Sequence, residues 1–298
     1  MADGFLPVYK EQGFTSMDAV AKLRGILHTK KIGHAGTLDP MAEGVLLTAV
    51  GSATRAISLL PVRDKEYIAG IRLGTATDTE DIWGNVTEQS DNIVPKQDLE
   101  AAILSFQGGY DQVPPMVSAK KVGGRKLYQL AREGKTVERK PVRVEIPEIE
   151  ILSAGQNTAE FRVRCSEGTY IRSLCRDIGA KLSMPACMSR LTRTEACGVR
   201  ISQALTLSRI QELADAGTIA DNIVSIPDML GSYPGVTVSQ DWTMKVLNGS
   251  AFPRQAVCGS GGTGGPLCRV FLSDGRFQGV YRKEGDIYMP VKILGGRN

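Results

Sequence analysis

Residues 31–46 (KIGHAGTLDPMAEGVL) constrain this chain more tightly than any other stretch. Gly33, Gly36, Pro40 and Gly44 surround one carboxylate, Asp39, and the apolar run 45–50 follows. A proline after an aspartate biases that aspartate toward extended backbone and away from helix. Gly33 and Gly36 allow positive φ or close approach of a ligand. The expectation is a rigid turn that presents Asp39 where a loop meets buried structure, a setting that often carries function. His34, one of only two histidines, lies five residues earlier. Taken alone, an aspartate before proline is more often a turn residue than a catalyst.

The 298 residues suggest roughly two domains of ~150 residues each. Hydrophobic content of 42% and charged content of 23% are ordinary for a globular protein. No run of about eighteen apolar residues suggests a membrane span, and residues 1–4 do not resemble a secretion signal. A cytoplasmic location and no membrane partner are therefore expected. The six cysteines (Cys165, Cys175, Cys187, Cys197, Cys258, Cys268) form no Cys-x-x-Cys pair. With only His28 and His34 besides, no metal site is expected, and the thiols read as reduced.

The net charge is only +4, but it is unevenly spread. Residues 110–145 hold nine Lys/Arg against four Asp/Glu, and residues 162–193 hold seven against two. Two basic segments on an otherwise acidic chain suggest a polyanion partner. The bland alternative is a pair of solvated faces.

Thr15-Ser16-Met17-Asp18 has the pattern of a capping box, and Val20, Leu23 and Leu27 continue at helical spacing. The run 45–50 reads as a buried strand or a short helix; periodicity does not decide. Residues 65–73 alternate as a strand, with Tyr67, Ala69, Ile71 and Leu73 on one face. Residues 74–92 read as a loop and 99–106 as a helix. The stretch 108–143, with many cations, reads as a mobile basic lobe enclosing a short helix near 126–133. Residues 160–165 alternate again, and Ile171, Leu174, Cys175, Ile178 and Leu182 follow helical spacing, placing Arg172 and Arg176 one turn apart. Residues 206–231 read as helical. Beyond Tyr233-Pro234-Gly235 come strand-like pieces at 236–238, 267–272, 279–282 and 287–293, with a hairpin-type turn at 273–276. The glycine-rich run 259–265 lacks a following Gly-Lys-Ser/Thr, so it reads as a flexible loop rather than a phosphate-binding one.

Five ordered motifs resemble a known family. Gly33-His34-Ala35-Gly36-Thr37-Leu38-Asp39-Pro40 is similar to the catalytic motif of the TruB family of tRNA pseudouridine synthases. Lys65-Glu66-Tyr67, the run 78–84 (DTEDIWG), the run 114–128 and Gly168-Thr169-Tyr170-Ile171-Arg172 resemble its further motifs. The 114–128 run resembles its RNA-gripping thumb. One departure occurs: the family's Lys-Pro-x-Gly-x-Thr-Ser start reads here Lys10-Glu11-Gln12-Gly13-Phe14-Thr15-Ser16.

The resemblance implies an α+β pseudouridine synthase fold with a mixed or antiparallel central sheet over residues 1–232. A small β-rich, PUA-like RNA-binding domain would follow over 233–298. It implies that Asp39 acts on the ribose of a tRNA uridine with no cofactor, by attack at C1′ or by removal of the 2′ proton. Arg172 would hold Asp39 ionised, and Tyr67 would stack on the uracil and help remove the C5 proton. Asp81 and Leu191 would lie near the flipped base, and His34 would fill the vacated space. Lys10, Arg55, Lys120, Lys121, Arg125, Lys126, Arg176 and Arg193 are candidate phosphate contacts. The expected partner is tRNA through its T-stem-loop, without guide RNA, with the chain acting as a monomer. The rivals are a non-catalytic RNA-binding protein, a guide-RNA-dependent relative, and a glycosidase using Glu43 or Asp81 as a second carboxylate.

Overall fold

The computed structural model describes residues 3–118, 120–259 and 265–295; the Lys121 side chain and most of the glycine-rich loop at 259–265 lie outside the described residues. The chain forms two compact units. The first comprises Met1–Pro40, Val45–Val62 and Ser202–Asn298, the second Met41–Gly44 and Arg63–Ile201. The units do not part at 232/233: the C-terminal stretch shares a unit with the start of the chain.

The first unit opens with strand β1 (Gly4–Lys10), which is almost wholly buried. Helix α1 (Ser16–Ile26) starts at the expected cap: Asp18 N donates to Thr15 Oγ1 at 3.0 Å, and Thr15 N donates to the Asp18 carboxylate at 2.9 Å. Strand β2 (Ile32–His34) runs antiparallel to β3 (Glu43–Val50), with His34 opposite Thr48. β3 resolves the ambiguity of the apolar run. Gly44 to Val50 are all buried, so both faces are covered and alternation is lost. Only Glu43 and Gly44 of this strand belong to the second unit.

The second unit is built on β4 (Lys65–Leu73), which has the bounds its alternation predicts. A hairpin follows, β5 (Thr75–Thr77) with β6 (Val86–Gln89), where the sequence suggested only loop. Thr, Gln and Glu dominate these strands, and β6 is fully exposed, so no apolar alternation marked them. Then come α2 (Lys96–Leu104), β7 (Gly108–Gln112), the two-residue strands β8 (Lys121–Val122) and β9 (Arg125–Lys126), α3 (Leu127–Arg132) and β10 (Val142–Ile146). The basic lobe is therefore rooted in packed structure: β7 pairs with β10, and Gln112, Val144 and Ile146 are buried. β11 (Glu148–Ala154), β12 (Thr158–Cys165), α4 (Ile171–Lys181), β13 (Ala186–Ala196) and β14 (Val199–Arg200) complete the unit. Its strands run in the order β11-β12-β4-β13 and are antiparallel. β13 then pairs in parallel with Glu43 and Gly44, so the sheet is mixed.

The remainder of the first unit begins with α5 (Leu207–Asp215), whose Leu207 and Ile210 share a core with Leu6, Val8, Val20 and Leu23. The expected helix over 206–231 is broken. Gly217, at φ +73°, ends α5, and β15 (Val224–Ser225) returns to pair with β1 before the four-residue α6 (Ile226–Met229). A five-stranded sheet follows, formed by β16 (Gly235–Thr237), β17 (Phe252–Pro253), β18 (Leu267–Phe271), β19 (Phe277–Glu284) and β20 (Ile287–Ile293), with α7 (Thr243–Leu247) between β16 and β17. It has its own core around Phe252, Tyr281 and Tyr288, with Phe252 and Tyr288 stacked at 4.9 Å.

Candidate active site

Asp39 sits half-buried in a backbone held on both sides. Before it, Leu38 N donates to Ser16 Oγ at 2.8 Å and Ser16 Oγ donates back to Leu38 O at 3.1 Å. After it, Pro40 O accepts from Gly13 N at 2.9 Å and from Lys10 Nζ at 3.1 Å. Lys10 Nζ also donates to Phe14 O at 2.7 Å and Glu11 O at 3.0 Å. The turn is thus pinned by residues 10–16, a role the sequence did not reveal because the acceptors are backbone carbonyls. Gly36 (φ +107°) and Gly44 (φ +105°) need the left-handed region, whereas Gly33, inside β2, does not. At Gly44 a Cβ would fall 2.2 Å from Arg193 O, so the parallel pairing with β13 requires glycine there.

Tyr67, Asp81, Arg172 and Leu191 lie in the second unit. Tyr67 on β4 is 6% exposed and lies between Val163 of β12 and Arg193 of β13. Leu191, 5% exposed, pairs with Ala69. The 78–84 run is a closed turn: the Asp78 carboxylate accepts from Asn85 N and Asn85 Nδ2, both at 2.9 Å. A Cβ at Gly84 would meet Thr79 Oγ1 at 2.2 Å. The turn docks on β13 through Met188 N to Glu80 O (3.0 Å) and Ile82 N to Met188 O (2.9 Å). Asp81 accepts from Thr79 Oγ1 at 2.7 Å and Trp83 N at 3.2 Å, and stands 4.0 Å from Arg172 Nε. Arg172 is 4% exposed and donates to Thr79 O at 2.8 Å and Val117 O at 2.9 Å. Such forked bonds fix the plane of a guanidinium.

Sequence reasoning missed Glu80. Its carboxylate accepts from Ser173 Oγ at 2.6 Å and pairs with Arg176. It sits at φ +64°, a backbone state uncommon for glutamate. Burial holds the neighbouring Asp177 above its ordinary pKa, against the pull of Arg176.

Several expected phosphate contacts are corrected. Lys10 and Arg193 are 0% exposed, so neither head group reaches a phosphate. Arg176 is engaged by Glu80, Asp177 and Val113 O. Arg55 and Arg125 are exposed, while Lys120 and Lys126 are half-buried. Lys126 Nζ lies 5.6 Å from the Tyr128 ring centroid, and Arg132 lies 5.5 Å from it. Among the described residues no cluster of three or more His, Cys, Asp or Glu could hold a metal. Burial pushes the Cys165 thiol up to about 12 and the Cys268 thiol to about 11, so both stay protonated near neutrality.

The fold is that of the pseudouridine synthases. It matches a chain of a Cbf5–Nop10–Gar1 complex at TM-score 0.74 and 24% identity, over 98% of this chain and 84% of that one. A chain of an H/ACA RNP bound to a substrate RNA containing 2′-deoxyuridine matches at TM-score 0.73 and 22% identity, over 99% and 86%. Residues 24–171 match the TruB family pseudouridylate synthase (N terminal domain). The tRNA pseudouridine synthase B of Bacillus pumilus is 38% identical over 99% of this chain and 98% of its own length. That of Clostridium kluyveri is 39% identical over 98% and 99%. The chain belongs to the TruB family of pseudouridine synthases.

Proposed function

We propose that this enzyme converts the T-loop uridine of tRNA, position 55, into pseudouridine, with Asp39 as the reacting carboxylate. The observation that carries the reading is the doubly pinned Asp39 turn, in a chain whose relatives over nearly full length are named tRNA pseudouridine synthase B. The target uridine is extruded from its stack at a cost of a few kcal/mol, and His34 fills the space it leaves. Asp39 attacks C1′ or removes the 2′ proton. Either route breaks the N1–C1′ bond, as carboxylates do at glycosidic centres. The uracil turns, C5 bonds to C1′, and the C5 proton leaves with help from Tyr67 while N1 gains one. The sum is a redox-neutral isomerisation with no atom gained or lost, so no cofactor is required.

Arg172 belongs to the reaction site, and Asp81 and Leu191 line the base. The exposed cations of the 108–146 lobe grip phosphates, and the sheet domain from about 233 adds a PUA-like RNA surface. The enzyme acts as a monomer in the cytoplasm and needs no guide RNA. The test is release of tritium from C5-labelled uridine in naked tRNA. Wild type is expected to release one tritium per site, and Asp39→Asn none while still binding tRNA. Retained turnover in Asp39→Asn would remove the carboxylate from this role, and no release by wild type would leave an RNA-binding protein.

A further inference from the structure

Two arginines one turn apart on α4 hold the same two segments. Arg172 reaches Thr79 O and Val117 O, at 2.8 and 2.9 Å. Arg176 pairs with Glu80 and donates from Nη2 to Val113 O at 3.1 Å. Each thus ties the 79–80 turn to the strap of chain at 113–117 that leads from β7 into the basic lobe. Asp177 braces the other side of Arg176 through Nε (2.9 Å) and Nη2 (2.7 Å), and accepts from Tyr110 OH at 3.3 Å. Gln112, 1% exposed, bonds the Tyr170 backbone twice: Oε1 accepts from Tyr170 N at 2.8 Å and Nε2 donates to Tyr170 O at 3.0 Å. Just past the strap, the buried Ser118 Oγ has no hydrogen-bond partner among the described residues.

We propose that Arg176, held by Glu80, is a positioning residue for Arg172, latching the root of the lobe so that Val117 O keeps the Arg172 guanidinium in its plane. The inference rests on the reading of Arg172 as part of the reaction site. Val113 O is four residues before Val117 O, so fixing one restricts the other. A lysine at 176 keeps the charge but gathers its donors on one atom, losing the fork by which Nε, Nη1 and Nη2 reach Asp177, Glu80 and Val113 O. Freed, the strap shifts, and Arg172 loses one of its two carbonyl anchors.

The test uses full-length Arg176→Lys and Glu80→Gln. It measures single-turnover tritium release at saturating enzyme, tRNA binding, and amide exchange at 113–118. The release rate is expected to fall about tenfold or more, as small misplacements at a reacting centre do, with tRNA affinity kept within about twofold. Exchange at 113–118 rises, and Arg172→Lys combined with Arg176→Lys loses less than the product of the two single losses. Should Arg176→Lys fail to fold, Ser173→Ala removes one bond to Glu80 and is read the same way. Unchanged exchange at 113–118, a fully multiplicative double mutant, or a rate loss matched by lost affinity would overturn the latch. Absence of release by wild type would instead sink the functional reading.

Discussion

Residues 110–145 and 162–193 look alike in sequence, each with five more Lys/Arg than Asp/Glu, and the fold treats them in opposite ways. In the second segment the cations are spent on the protein. Arg162 pairs with Glu150, and Arg164 with Glu66 (3.2 Å) and Glu195 (3.1 Å). Arg190 lies between Glu160 (3.5 Å) and Glu43 (3.6 Å), while Arg172 and Arg193 are buried. The partner carboxylates come mostly from other strands, so a window along the chain counts the cations and misses what neutralises them. In the lobe, Arg125, Arg132, Lys135, Lys140 and Arg143 remain exposed. Of the two, the lobe keeps more of its cations exposed, which is the basis for proposing it as the RNA-facing surface.

The largest expected effect belongs to a spent cation. Lys10, buried with three carbonyl acceptors, is the extreme case. Lys10→Ala strips Phe14 O and Glu11 O of this donor at about 1–3 kcal/mol each, while Pro40 O keeps Gly13 N, so the unfolding midpoint should fall by roughly 3–10 °C. The salt dependence of RNA binding should not change. A flatter salt dependence with an unchanged midpoint would return Lys10 to the phosphate-binding set.

Next comes the direct contrast. Replacing Lys126, Arg132 and Lys140 together by Gln should flatten the log–log salt slope of tRNA binding by about two, at ~0.7 per lost contact. The midpoint should hold, because these side chains support little else. The triple change at Arg162, Arg164 and Arg190 should leave the slope alone and lower the midpoint. Equal slopes for the two triples would erase the distinction between the two segments.

The sequence was legible where interactions are local. The Thr15–Asp18 cap, the bounds of β4 and the Arg172–Arg176 spacing all follow from residues within a turn or a strand of each other. The Asp39 turn was legible as a turn, but its supports were not: Ser16 reaches it across twenty-two residues and Lys10 across thirty. Glu80 was hidden for the same reason, since its partners lie ninety-three and ninety-six positions away. The exposed β6 carried no apolar signal, and in 206–231 apolar spacing outweighed Gly217, which ends the helix.

A smaller, pH-dependent effect probes the spent class again. Burial lowers the pKa of Lys65 from its ordinary 10.5. The folded chain therefore binds fewer protons there than the unfolded chain, and stability rises as pH climbs through the window between the lowered value and 10.5. In Lys65→Met that gain is absent. The stability of wild type relative to Lys65→Met should increase from pH 7 toward pH 10 in chemical denaturation, and a flat or falling difference would contradict the burial penalty.

The smallest effect tests the exposed class from the acidic side. Glu133 bonds both Arg125 and Lys135, and those bonds, Arg125 first, hold its carboxyl down at about 2. A depressed acid contributes to stability above its unfolded pKa and loses that contribution as pH falls toward 2, so Glu133 is fully charged wherever binding is measured. It is solvent-exposed, and its ion pairs are of the kind that add little to stability. Its main effect is to occupy two cations of the lobe. Glu133→Gln should leave the midpoint unchanged, tighten tRNA binding by a few-fold and steepen the salt slope by about one as Arg125 and Lys135 become available. Weaker binding would mean instead that the Arg125–Glu133 pair holds the lobe in its gripping shape, and that cations on the surface, like those inside, act through the protein before they act on RNA.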